Sequence, residues 1–187
     1  DALVGSNSSN PILEVWRWNT PSTLQFVGSA QQPVDTGSEW SSWVRGHANA
    51  ALQRLVGDSA YLVKVGTNVA TYTWQIKGRP VAPRHEWTTT GLNFIGFSTV
   101  PVNPPKFDPF LANATELQPL TTEIFQYVGG NLGANNPTRL VTSFFRNTPV
   151  KRGQAFWIRS GTVFNRYFGP FELVSAGTRG VEFGDNL

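Results

Sequence analysis

Large apolar side chains alternate with polar or small ones through LEVWRW, AYLVKV, TYTWQI, LNFIGF, EIFQYV, AFWIRS and FGPFELV, short runs bounded by Gly, Pro, Asn or Ser. A period of two is the signature of half-buried strands, so each run predicts one. VPVNPPKFDPF and GGNLGANNPT hold too many prolines and turn residues for helix, and VGTNVA reads as a hairpin turn. Helical spacing occurs in two short places. In EWSSWVRGHANAALQRL, Trp40, Trp43, Val44 and Ala51 share a helical face, and FDPFLANATEL carries a weaker version. Within AYLVKV and AFWIRS, the parity predicts that Tyr61, Val63, Phe156 and Ile158 point into the core. Lys64 and Arg159 share the opposite, partly exposed face with Leu62 and Trp157, which their aliphatic stems would cover.

The same runs recur. Ala60 to Thr67, AYLVKVGT, returns as AFWIRSGT from Ala155 to Thr162 at an offset of 95, and EVWRW from Glu14 returns as EIFQY from Glu123 at an offset of 109. Two related units are implied, the first carrying about 14 more residues between its matched blocks (109 less 95). The surplus is most economically GSEWSSWVRGHANAA, an insertion near 37–51 that forms a short helix or loop. The second unit also has a leading block, GLNFIGFSTVPV, 32 residues before Glu123, and the first has no counterpart, which leaves a sheet edge open to a neighbouring segment or another copy. The expected architecture is an all-β sandwich or barrel of two units, residues 1–80 and 91–175, joined by a connector at 81–90 and followed by a tail at 176–187 that leads toward a further module.

Composition narrows the class. The 187 residues are 40% hydrophobic and 13% aromatic, with 18 Gly and 13 Pro, a balance that favours strands and turns over helices. The net charge of +3 comes from 15 basic and 12 acidic residues spread along the chain, without the basic run that neutralises a series of phosphates, so nucleic acid is not an expected partner. No apolar stretch reaches 18 residues, so no membrane insertion is expected. With no cysteine, disulfides, thiolate catalysis and thiolate zinc sites are excluded, and only His47 and His85 could supply imidazole. Low charge with abundant Ser, Thr, Asn and Gly fits an exported bacterial or archaeal domain, and the start at Asp1 reads as that of an excised or processed piece.

GLNFIGF at 91–97, IFQY at 124–127 and RGQAFWI at 152–158 occur in an order that resembles the repeated β-domains of large exported bacterial surface proteins. Units of that family open on a G-W-N-L-I/V-G-like strand and close on G-x-A/G-Y/F-W-I. The match departs at GLNF, where leucine replaces tryptophan, and at DSAYLV, where tryptophan is again missing. These are framework positions, so the resemblance implies a fold and a modular, exported setting at the cell surface or outside the cell, and no catalytic residue.

Candidate chemistry centres on Trp40 and Trp43. Displayed outward, two indoles three residues apart suit stacking on the C–H faces of pyranose rings, with Glu39, Arg45 and His47 beside them to bond hydroxyls; packed inward, they close an open end of the fold. Trp87 in the connector RPVAPRHEW lines a cleft between units or staples them together. Trp16 and Trp18, at strand spacing and matched by Phe125 and Tyr127, read as core, as do Trp74 and Trp157. Asp35, Glu39 and Glu86 are conceivable acids for glycoside hydrolysis, but no signature supports them, and there is neither G-x-S-x-G nor His-x-x-x-His. The expectation is a non-catalytic domain without metal or cofactor that binds a polysaccharide or surface glycan. The alternative is a structural subunit that pairs strands with neighbouring domains or other copies.

Overall fold

A computed structural model of the chain describes residues 10–19, 40–57, 59–79, 85–87, 92–97, 99–112, 114, 123–127, 129–130, 138–140, 146–159 and 164–166. Among them the protein is all-β, with nine strands and one short helix. The strands are β1 (Ile12–Trp18), β2 (Trp40–Val44), β3 (Tyr61–Val65), β4 (His85–Trp87), β5 (Leu92–Gly96), β6 (Ile124–Gln126), β7 (Thr138–Leu140), β8 (Ala155–Arg159) and β9 (Phe164–Arg166); the helix is α1 (Phe107–Leu111). They form a three-stranded sheet in the order β2-β1-β3, a four-stranded sheet in the order β5-β8-β6-β7, and a β4-β9 pair. Every pairing is antiparallel.

The alternating runs around β1, β3, β5, β6 and β8 form strands as their pattern predicts. TYTWQI does not: residues 71–76 adopt no regular structure, and FGPFELV lies outside the described residues. The stretch expected as a helix or loop insertion is instead β2. Trp43 sits opposite Val15 and Trp40 opposite Trp18, so the ladder with β1 decides the conformation of Trp40–Val44. Tryptophan and valine are strand formers, and helical spacing over one turn cannot outweigh a ladder plus burial on both faces. The chain then turns through Gly46, whose φ of +82° is a left-handed conformation that favours glycine. The other helical candidate does form. Phe107 and Leu111, four apart, bury one face of α1, and carbonyls of Thr148 and Arg146 accept the exposed N–H groups of Phe107 and Asp108.

The two larger sheets share a register. In the first, Val15, Trp16 and Arg17 of β1 face Val63, Leu62 and Tyr61 of β3. In the second, Ile124, Phe125 and Gln126 of β6 face Ile158, Trp157 and Phe156 of β8. Offsets of 109 and 95 convert each pair of the first set into one of the second. Both ladders also carry the same ion pair at the same place: Lys64 Nζ lies 2.5 Å from Glu14 Oε1, and Arg159 Nε 2.6 Å from Glu123 Oε2. β2 and β7 flank β1 and β6 alike, with Trp43 opposite Val15 and Leu140 opposite Ile124. The offset from Trp43 to Leu140 is 97, so 12 of the 14 residues by which the offset falls from 109 to 95 lie between β1 and β2, ahead of most of the segment expected to be the insertion.

Three apolar clusters line the sheets. Trp18, Trp40 and Ala60, with half-buried Trp16 and Leu62, meet Leu92, Phe94 and Trp157, so one face of each large sheet contributes to a common cluster. The other face of the first sheet holds Ile12, Val15, Trp43 and Leu52, with Trp74 packed against them. Ile12 joins Val15 on that face because the register of β1 slips between Ile12 and Glu14. The other face of the second sheet holds Ile95, Ile124, Phe156 and Ile158 beneath Phe107, Leu111 and Val150. One core expectation changes. Val63 is 42% exposed, because among the described residues its strand lies at a sheet edge. Trp157 is fully buried, as its reading as core predicts and against its placement on a partly exposed face beside Arg159, because that face is the one turned toward the first sheet.

Candidate functional site

Strand alternation places Trp40 and Trp43 on opposite faces of one sheet, where both are buried. Trp40 packs edge-on to Trp157 at 5.9 Å and tilted against Phe94 at 5.8 Å. Trp43 packs with Ile12, Val15 and Leu52. Neither indole turns a free face to solvent, so the pair forms no stacking platform.

Arg45 serves the backbone. Its Nε donates to Ile12 O at 2.9 Å, its Nη2 to Asn10 O at 2.9 Å and Ile12 O at 2.7 Å, and its guanidinium carbon lies 5.8 Å from the centre of the Trp43 ring. These contacts clamp the start of β1 to the end of β2 and commit Nε and Nη2 of the guanidinium to backbone carbonyls. His47 is exposed in the turn after β2, where its N–H donates to Val44 O. Glu39 lies outside the described residues, as does Asp35. Trp87 is in β4 opposite Phe164, and Glu86 opposite Asn165. Trp40, Trp43 and Arg45 are thus near one another through β2, with both indoles buried and the guanidinium bonded to the backbone of β1.

Among the described residues titration is perturbed at Glu14 and Tyr127. Burial pushes the Glu14 carboxyl up, but hydrogen bonds from Lys64 and from Trp16 Nε1, together with the charges of Lys64 and His47, outweigh it and leave the group below its ordinary value. Burial pushes the Tyr127 phenol up to about 12, partly opposed by the hydrogen bond that Trp157 Nε1 donates at 2.9 Å. Both belong to strand packing rather than to a cleft. Among the described residues no group of three or more His, Asp or Glu is arranged to hold a metal ion, and no helix is long and apolar enough to cross a membrane.

The feature left unabsorbed by the core is the outer edge of β3. In the second sheet the matching strand, β8, lies between β6 and β5; in the first, β3 pairs with β1, and among the described residues no strand pairs with its other side. Val63 and Val65, 42% and 39% exposed, stand on that edge. The backbone polarity follows from one bond. Gly66 N–H donates to Pro11 O at 2.9 Å on the β1 side, so alternation turns the amides of Lys64 and Leu62 toward β1 and those of Val63 and Val65 outward. The sequence hinted at this edge through the absent leading block, while placing Val63 in the core because parity alone cannot tell an edge strand from a central one. No family model, no curated protein and no solved structure matches the chain.

Proposed function

We propose that the chain is a non-catalytic β-module of a larger exported protein, a sandwich of two repeated units at 1–80 and 91–175, which works in assembly by strand pairing at the edge of β3. The observation that carries this reading is the contrast between β8, paired on both sides, and β3, paired on one. The matched registers and the matched ion pairs support the repeat, and the exposed valines support the edge. An edge strand with outward N–H and C=O groups is a template for another strand, and natural domains usually blunt such edges with charge or proline. Here Lys64 is the one charged residue of β3, and its ammonium is held by Glu14.

This reading replaces carbohydrate stacking at Trp40 and Trp43, whose faces are used in packing. Amide hydrogen exchange tests it. In the isolated chain the outward amides of Val63 and Val65 should exchange at least tenfold faster than those of Phe156 and Ile158, the amides of β8 that face β5. Equal protection at both sets would mean that the edge of β3 is already paired, and the reading would fail.

A further inference from the structure

We infer that the strand received by β3 is antiparallel, has the residue pattern of β5, and is donated by another unit of the same kind in a fixed register. The inference rests on the edge reading above and adds the identity of the occupant. Its basis is positional. In the second sheet, Leu92, Asn93, Phe94, Ile95 and Gly96 face Arg159, Ile158, Trp157, Phe156 and Ala155 in that order. Subtracting 95 carries the β8 positions to Lys64, Val63, Leu62, Tyr61 and Ala60, so each place on the incoming strand has a defined neighbour.

The neighbours set its chemistry. Opposite Leu62, on the face that joins the two sheets, belongs a large apolar or aromatic residue, as Phe94 stacks on Trp157 with ring centres 4.8 Å apart. Opposite Ala60 belongs glycine or another very small residue, because a Cβ on Gly96 would lie 3.3 Å from Gln154 O, and Ser59 holds the matching backbone position. Opposite Val63 belongs a residue whose backbone pairs with the outward amide, the role of Asn93, whose side chain also reaches Ile158 O at 3.4 Å. The folded chain's own β5 is not the donor, since Leu92, Asn93 and Phe94 are buried against β8. A β3-to-β3 pairing between two copies would set Lys64 near a second Lys64 or oppose residues with no small partner for Ala60, and gains no aromatic against Leu62.

The probe is a synthetic peptide of residues 91–97, with blocked ends and added terminal lysines for solubility, titrated into the isotopically labelled full chain. The expected result is saturable protection of the Val63 and Val65 amides by at least tenfold, with those of Phe156 and Ile158 unchanged. A peptide with Phe94→Ser should bind at least tenfold more weakly, and one N-methylated at the Asn93 position should not protect Val63. Val63→Pro, which removes an outward N–H and none of the β1 ladder, should abolish binding; should that variant fail to fold, the N-methyl peptide makes the same test from the other side. Equal binding by the Phe94→Ser peptide, no protection by any peptide at an exchanging edge, altered protection in β8, or concentration-dependent protection without peptide would each overturn the inference. None of these would by itself slow the exchange of Val63 and Val65 in the dilute chain alone, which is the separate failure of the edge reading.

Discussion

The Tyr127 hydroxyl accepts a hydrogen bond from Trp157 Nε1, and burial around it raises its pKa to about 12. An unfolded tyrosine loses its proton near pH ~10, so between these values the unfolded chain has released a proton that the folded chain retains. The stabilisation is therefore complete below pH ~10 and lost as pH rises through about 12, a fall of about 2 to 3 kcal/mol across the window. Urea midpoints measured from pH 9 to 12 should show this decline, and Tyr127→Phe should flatten it. The indoles divide on the same ground. Trp157 Nε1 has Tyr127 as its acceptor, whereas among the described residues the buried Nε1 atoms of Trp18 and Trp40 have no hydrogen-bond partner. Replacing Trp40 with phenylalanine removes an unpaired donor together with ring area, while the same change at Trp157 breaks a made bond. Trp157→Phe should thus cost about 1 kcal/mol more than Trp40→Phe in chemical denaturation. Truncation to alanine at Trp40 or Trp43 should cost about 3 to 5 kcal/mol, a core penalty in place of a lost ligand.

At the scale of elements, legibility depended on whether neighbours or the local pattern decide conformation. LNFIGF and AFWIRS were readable as strands because alternation over six residues has no competing period. Trp40–Val44 was misread because WSSWV has a helical spacing of three, and its partner β1 lies 22 residues away, where a single-sequence pattern cannot see the ladder. TYTWQI alternates, yet Tyr72 and Ile76 are 44% and 49% exposed and no ladder forms, so alternation without a partner strand is insufficient. The two offsets were legible, and Leu62 faces Trp16 as Trp157 faces Phe125. What the numbers could not convey was burial, since Leu62 is half-buried and Trp157 fully buried. The matched ion pairs carry this difference into energy. Both partners of Glu123–Arg159 have side chains 23% exposed, whereas Lys64 is 61% exposed. Double-mutant cycles should therefore give a coupling near the upper end of the roughly 0.2 to 1 kcal/mol typical of surface pairs for Glu123–Arg159, and a smaller, more salt-sensitive one for Glu14–Lys64.

Across the whole molecule, the cluster that contains Trp18, Trp40, Leu92, Phe94 and Trp157 draws on both large sheets. Trp157 touches aromatic partners from each, with Trp18 at 5.4 Å and Trp40 at 5.9 Å on one side and Phe94 at 4.8 Å on the other, and Phe94 itself lies 5.8 Å from Trp40. Two sheets that each closed their own core would unfold one at a time, with the more stable sheet surviving the other. Here the shared cluster makes each sheet the cover of its neighbour, so exposing one exposes both, and cooperativity follows from the cost of leaving that surface in water. Thermal unfolding followed at the amides of β1 in the first sheet and β6 in the second should accordingly give one midpoint. Trp157→Ala, a change in a strand of the second sheet, should lower both signals together by an amount corresponding to about 3 to 5 kcal/mol. Two separated transitions, or a loss restricted to β6, would mean that Trp18 and Trp40 hold the first sheet without Trp157.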